Sequence, residues 1–222
     1  MNILDILFPK RCVSCGKFGA YLCPDCFKKI EFLQNPVCPV CQRQAYLGKT
    51  HPGCAGKYRL DGLAVAARYG GPIKAAIQKV KYKHIFDIEK VFADLLSKRL
   101  QQFDLPKDII LVPVPLHPNR KRIRGFNQSE IMAKSLAKSI GVQFGDILER
   151  VCDTKTQVGL KRDQRRENVA GAFGLEDGAD VRDKNILLVD DVYTSGATIQ
   201  ECCQVLKGAG AKTVWGMAVA LG

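Results

Sequence analysis

The stretch that decides the fold is LLVDDVYTSGAT, residues 187–198. The apolar residues at 185–189 predict a buried β-strand that ends in two adjacent acids, and the hydroxyl- and glycine-rich residues after them predict a tight turn. A helix is expected over 199–207, ended by glycine, followed by another apolar strand over 213–221. Strand, helix and strand in this order form a βαβ unit, which implies parallel strands with the helix on one face.

Strand and helix patterns alternate through the rest of the chain from residue 60 onward. The alternation predicts an α/β domain over residues 58–222, doubly wound around a parallel sheet. The basic segment between residues 115 and 127 is expected to be a loop, and the polar segment 154–173 a long functional loop. Further strands are expected over 60–69 and 108–115, and further helices over 73–82, 87–103 and 127–140.

The residue types at the end of the 185–191 strand favour a sugar phosphate as ligand. Asp190 and Asp191 reach the carboxyl edge of the sheet, where they can accept hydrogen bonds from vicinal hydroxyls or face a Mg²⁺ ion. The turn after them opens a helix, whose free N–H groups and dipole favour a phosphate. A ligand with both a diol and a phosphate is a ribose 5-phosphate. The residues expected to hold its phosphate are Thr194, Ser195, Gly196, Ala197 and Thr198.

Two alternatives to this site were weighed. The acids can simply end a strand while the hydroxyls cap a helix, which is common for any one capped helix. A Walker-type nucleotide loop needs a Gly-Lys-Ser/Thr ending, and the stretch 187–198 has none. The complete ordered string of acids, hydroxyls and glycine therefore favours the sugar-phosphate site.

Seven of the ten cysteines lie between Cys12 and Cys54, mostly in pairs two residues apart. This spacing favours metal ligation over a disulfide framework. Residues 1–57 are expected to form a small domain that zinc stabilises, because structural zinc contributes about 10–16 kcal/mol of binding energy. One or two structural Zn²⁺ ions are expected, closed to catalysis by four protein ligands each. The predicted ligands are Cys12, Cys15, Cys23 and Cys26 for one ion and Cys38, Cys41, His51 and Cys54 for the other.

The net charge of +12 implies an anionic partner. Nucleic acid, an anionic membrane face and a polyphosphate all remain candidates, since the excess is spread over residues 1–57 (+5) and the remainder (+7). The apolar residues 1–8 are too few to span a bilayer and lack a basic leader. We therefore expect a cytoplasmic protein with no integral membrane segment.

Arginines cluster in two of the segments expected to be loops. A solvated surface is the ordinary explanation for any single basic residue. The first cluster, however, follows a buried strand at the same sheet edge as the acids. A basic groove beside aromatic residues such as Tyr82, Phe126 and Tyr193 could also bind single-stranded DNA. The two clusters are Arg120, Arg122 and Arg124, and Arg162, Arg165 and Arg166.

The stretch 187–198 resembles the phosphoribosyl pyrophosphate (PRPP) signature of type I phosphoribosyltransferases. The resemblance implies that Asp190 and Asp191 contact the ribose hydroxyls, directly or through Mg²⁺, and that residues 194–198 hold the 5-phosphate. It further implies that the first arginine cluster faces the pyrophosphate and that residues 156–168 close over it.

Four further motifs are similar to the ComF/ComFC family over essentially the whole chain. Proteins of this family are associated with DNA uptake in naturally competent bacteria, and they are often described as predicted amidophosphoribosyltransferases. The family usually has a fourth cysteine pair where this chain has His51 and Cys54, so the second zinc site departs from its pattern. The motifs are VPVPLHP (112–118), RGFNQ (124–128), TQVGL (156–160) and RRENV (165–169).

Two functions follow from this resemblance. The first is an enzyme that transfers phosphoribose from PRPP to an unknown acceptor with release of pyrophosphate. Glutamine use is not expected, because no part of the chain supplies an ammonia-producing nucleophile. The second is a non-catalytic competence factor that binds single-stranded DNA or other DNA-uptake proteins and keeps the fold as a scaffold or PRPP sensor.

Overall fold

The structure is a computed structural model that describes residues 9–82, 88–154 and 161–222. Its main sheet has five strands in the spatial order β1-β7-β6-β2-β3, and all neighbouring strands are parallel. A second, antiparallel sheet pairs β4 with β5. The strands are β1 (Gly62–Arg68), β2 (Ile109–Pro113), β3 (Gln143–Phe144), β4 (Leu148–Arg150), β5 (Phe173–Leu175), β6 (Asn185–Tyr193) and β7 (Thr213–Leu221).

Helices cover both faces of the main sheet. Within the described ranges no helix is long and apolar enough to cross a lipid bilayer. The helices are α1 (Pro24–Phe27), α2 (Gly71–Tyr82), α3 (Ile88–Leu100), α4 (Pro118–Arg124), α5 (Gln128–Ile140), α6 (Arg162–Val169) and α7 (Ala197–Gly208).

The central strand β6 has apolar side chains on both faces, as expected for a strand between two helical layers. Leu187 and Val189 pack into the core beneath α2, α3 and α5. Ile186 and Leu188 point the other way, into the core beneath α7. The predicted doubly wound parallel sheet is therefore confirmed.

The chain leaves the neighbouring strands β2 and β6 in opposite directions. After β2 it passes through α5 to β3 at one edge of the sheet, and after β6 it passes through α7 to β7 on the other side. Right-handed crossovers in opposite directions put the two helices on opposite faces and open a crevice between the strand ends. The acid pair of β6 lies at this topological switch point.

The N-terminal segment packs along the free side of β1. Leu33 N donates to the Ala66 carbonyl oxygen at 3.0 Å, and Arg68 N donates to the Glu31 carbonyl oxygen at 2.9 Å. Side chains of the segment enter both cores, Ile30 on one face and Val37 on the other. The cysteine-rich segment thus covers an otherwise exposed sheet edge.

Two expectations about loops were wrong. The basic segment after Pro115 contains α4, and the polar segment 154–173 contains α6 and the start of β5. Neither helix announces itself by an apolar face, because α4 has no buried residue. Helix α4 is instead fixed by its ends, where the His117 ring accepts from Asn119 N at 3.3 Å and Gly125 ends the helix at φ +79°. In α6, the Gln164 side chain accepts from Lys161 N at 2.9 Å.

Candidate functional site

The two acids of β6 lie just beyond the end of the β2 ladder, whose last pair is Pro113 with Val189. Asp191 is buried, and its carboxylate accepts from Gln128 Nε2 at 3.4 Å. Asp190 accepts from Ser129 Oγ at 3.1 Å and from the backbone N–H of Asp191 at 2.8 Å. Both carboxylates are thus oriented before any ligand binds.

The donors to these acids come from the first turn of α5. Asn127 caps that helix by accepting from Ser129 N at 3.1 Å, and its amide donates to the Val114 carbonyl oxygen at 3.1 Å. The cap therefore fixes the start of α5 to the exit of β2. The RGFNQ motif indicated a helix start here, but the contacts of Gln128 and Ser129 with the acids were not predicted.

The hydroxyl-rich turn joins β6 to α7 through a glycine that no other residue can replace without movement. Gly196 has φ +73°, and a Cβ there would lie 2.2 Å from the hydroxyl of Tyr193. Ser195 Oγ accepts from Ala197 N at 3.4 Å, so this side chain braces the turn. The turn therefore brings the N-terminus of α7 against the crevice beside Asp190 and Asp191.

The cysteine-rich segment contacts the turn directly. Gln42 Nε2 donates to the Thr194 carbonyl oxygen at 2.8 Å, and the Tyr193 hydroxyl donates to the Pro39 carbonyl oxygen at 2.8 Å. Both partners belong to the loop that contains Cys38 and Cys41. No periodicity in the sequence links residues so far apart in the chain, so this contact was not predicted.

A cavity of about 410 Å³ lies between the acids, the turn and three arginines. Arg165 Nη1 donates to Thr194 Oγ1 at 2.7 Å, and Arg124 Nη1 donates to Gln128 Oε1 at 3.1 Å. Arg120 donates to the Thr154 carbonyl oxygen. These half-buried cations face the cavity that Asp190 and Asp191 also line.

The other arginines of the two predicted clusters are not brought to this cavity. Arg122 is exposed and lines a neighbouring cavity, and exposed Arg166 lines a groove on the far side of the turn. The side chain of Arg162 and the segment 156–160 lie outside the described residues. Phe126 and Tyr193 are buried, so they are not available for stacking, and the side chain of Tyr82 is also outside the described part.

Both predicted zinc sites have the donor geometry that zinc requires. In each group of four residues the candidate ligand atoms lie within 4.8 Å of one another. Cys15 Sγ and Cys23 Sγ are 3.7 Å apart, close to the ~3.8 Å expected for two thiolates about 2.3 Å from a tetrahedral zinc ion. Burial raises the pKa of Cys12, but hydrogen bonds from the N–H groups of Cys23 and Cys15 outweigh burial and lower it to about 6.

His51 fits the second group as a nitrogen ligand. Its Nδ1 lies 3.3 Å from Cys41 Sγ, and its Nε2 donates to the Gln44 carbonyl oxygen at 2.9 Å. A backbone partner on the far ring nitrogen holds the tautomer that leaves Nδ1 free for metal. Both sets of residues therefore fit structural zinc.

The cysteines of α7 have a different environment. Cys202 and Cys203 are buried in the core, and burial raises the pKa of Cys203 to about 12. These thiols pack as small apolar groups.

The parallel sheet, the acid pair at its switch point and the phosphate-type turn define a phosphoribosyltransferase-type α/β protein that carries a zinc-binding module. Comparison with protein-family models agrees for both parts. The model of the double zinc ribbon domain matches residues 3–55, and the model of the phosphoribosyl transferase domain matches residues 126–221.

Known proteins give the family. The chain is 32% identical to Competence protein F of Haemophilus influenzae, with 95% of this chain and 97% of that protein aligned. It is 32% identical to Competence protein ComFC of Streptococcus pneumoniae over 87% of this chain and 84% of that protein. DNA utilization protein YhgH of Escherichia coli is 31% identical over 80% of this chain and 87% of that protein. The chain belongs to the ComF/ComFC family.

Among solved structures, the hypoxanthine phosphoribosyltransferase of Staphylococcus aureus aligns with a TM-score of 0.37 and 14% identity. The alignment covers 60% of this chain and 62% of that one.

Proposed function

We propose that the chain binds PRPP with Mg²⁺ in the cavity at the switch point. The observation that carries this proposal is the convergence of two oriented carboxylates, a helix-opening turn and three arginines around one cavity of about 410 Å³. Each feature matches one part of PRPP, which has a ribose diol, a 5-phosphate and a diphosphate.

The ligand is oriented by these chemical differences. Asp190 and Asp191 accept from the ribose hydroxyls or hold Mg²⁺, which prefers carboxylate oxygens. The turn 194–198 receives the 5-phosphate at the N-terminus of α7. Arg120 and Arg124 lie where the diphosphate needs cationic donors.

In the enzymatic form of the proposal, an acceptor nucleophile forms a bond to C1 of the ribose. The bond between C1 and the diphosphate oxygen breaks, and pyrophosphate leaves with the bonding electron pair. Charge builds on the departing diphosphate, so fixed guanidinium groups stabilise the transition state more than the ground state. The acceptor is left open.

The relatives connect this chemistry to DNA. Proteins named for competence and DNA utilization align with most of this chain. We therefore propose a role in DNA uptake, together with other competence proteins. A cytoplasmic location fits the seven predicted cysteine ligands, because that compartment keeps thiols reduced.

A non-catalytic single-stranded-DNA-binding role is the second candidate. It is favoured by a groove between the cysteine-rich segment and helices α6 and α7, with a volume of about 700 Å³. Tyr58 is 44% exposed there, with Lys57 Nζ 5.1 Å from the ring centre. Arg59 and Arg166 line the same groove. Cations beside an exposed ring are typical of single-strand sites.

One set of assays separates the two candidates. Pyrophosphate release is measured with PRPP and MgCl₂ in the presence of ammonia or free nucleobases, and single-stranded DNA binding is measured at physiological salt. Acceptor-dependent release of pyrophosphate supports the transferase. Tight DNA binding, with no release from any acceptor and with Tyr58→Ala weakening it, supports the binding factor.

A further inference from the structure

Arg150 is a buried cation that the sequence did not single out. It ends β4, pairs across the small sheet with Phe173, and is 7% exposed. Its guanidinium carbon lies 5.1 Å from the centre of the Phe173 ring, and one terminal nitrogen donates to Thr154 Oγ1. Among the described residues its Nε has no hydrogen-bond partner.

The surroundings of Arg150 are unfavourable for a cation. Burial lowers the pKa of Arg150, and the nearby positive charge of Arg120 lowers it further, whereas Asp190 acts in the opposite direction. A buried donor without a partner also destabilises the folded state. A bound anion between the two guanidinium groups would remove both penalties.

The position of Arg150 identifies the anion. Arg150, Arg120 and Asp190 all line the 410 Å³ cavity at the switch point. Arg120 and Arg150 are held together because both donate to Thr154, one to its carbonyl oxygen and the other to its hydroxyl. Two planar guanidinium groups fixed side by side match a group with several anionic oxygens, since each can donate two hydrogen bonds.

We propose that Arg150, paired with Arg120, is a binding residue for the diphosphate of PRPP. The inference rests on the proposed function, and it adds to it a residue that discriminates the diphosphate end of the ligand from the 5-phosphate end. Arg165 serves the opposite end, because it contacts Thr194 in the phosphate turn.

The test is the substitution Arg150→Met, which keeps an unbranched stem against Phe173 and removes the guanidinium. Affinity is measured calorimetrically with MgCl₂ and three probes: PRPP, inorganic pyrophosphate and ribose 5-phosphate. We expect PRPP and pyrophosphate to bind about 10- to 100-fold more weakly, as for the loss of hydrogen bonds to a charged group, and ribose 5-phosphate to bind as in the unaltered protein. Arg182→Met, at an exposed arginine paired with Asp180, is the control and should leave all three affinities unchanged.

Three outcomes would overturn the inference: an unchanged PRPP affinity in Arg150→Met, an equal loss for all three probes, or a loss confined to ribose 5-phosphate. An equal loss would mark Arg150 as a structural residue. If the methionine variant does not fold, Arg150→Lys keeps the charge without the planar donors and should still weaken PRPP selectively. Absence of PRPP binding by the unaltered protein would instead refute the proposed function itself.

Discussion

The contact between Gln42 and Thr194 predicts that the cysteine-rich segment sets the affinity of the phosphate turn. In Gln42→Ala the Thr194 carbonyl oxygen loses its donor at 2.8 Å. A partly buried hydrogen bond contributes about 1 kcal/mol, which corresponds to about a fivefold change in an equilibrium constant. Gln42 has φ +58°, and alanine is no better suited to that conformation, so backbone strain cancels in the comparison.

The assay is calorimetric titration with PRPP and MgCl₂, with zinc content measured on the same samples. We expect the dissociation constant to rise about fivefold in Gln42→Ala while the zinc content stays constant. Gln44→Ala is the matched control, because Gln44 is an exposed glutamine of the same segment whose side chain has no described contact with the turn. Equal affinities in Gln42→Ala and the unaltered protein, or an equal loss in Gln44→Ala, would refute the reasoning.

Three further predictions follow from the same contacts. Gly196→Ala should abolish PRPP binding, because its Cβ would lie 2.2 Å from a tyrosine hydroxyl, whereas Gly178→Ala, at a similar φ of +77° but in open space, should keep it. Elemental analysis should give two zinc ions per chain and one after His51→Ala, and a folded zinc-free protein would contradict both sites. Burial raises the pKa of Glu130, but the hydrogen bond from Lys134 and further basic contacts outweigh it and lower the pKa, so Glu130 stabilises the fold above its ordinary pKa of 4.5. The stability difference from Glu130→Gln, followed by thermal denaturation, should therefore shrink as the pH falls below 4.5; a constant difference would contradict this.

The parts of the fold that sequence patterns predicted are those whose residues are buried on their own account. The unit β6–turn–α7–β7 was predicted nearly to its ends, because continuous apolar residues and glycines mark it. Helices α4 and α6 were missed, since they bury little and depend on caps and charge rather than on an apolar face. Strand β4 has only three residues, and its identity depends on pairing with β5.

The same limit applies to the candidate site. Asp190, Asp191 and the turn are contiguous in sequence, so a local motif could identify them. Arg150 and Gln42 reach the site only through tertiary packing, and neither belongs to a recognisable local pattern. Of the basic residues, composition alone could not separate the half-buried Arg120, Arg124 and Arg165 from their exposed neighbours.

The central claim, that the acid pair and the adjacent turn together bind PRPP, is tested most directly by calorimetry with millimolar PRPP and MgCl₂. The unaltered protein should release or absorb heat with one ligand per chain. The double substitution Asp190→Asn and Asp191→Asn should abolish that heat without lowering the thermal stability of the ligand-free protein. No heat from the unaltered protein, or the same heat from the double variant, would contradict the account.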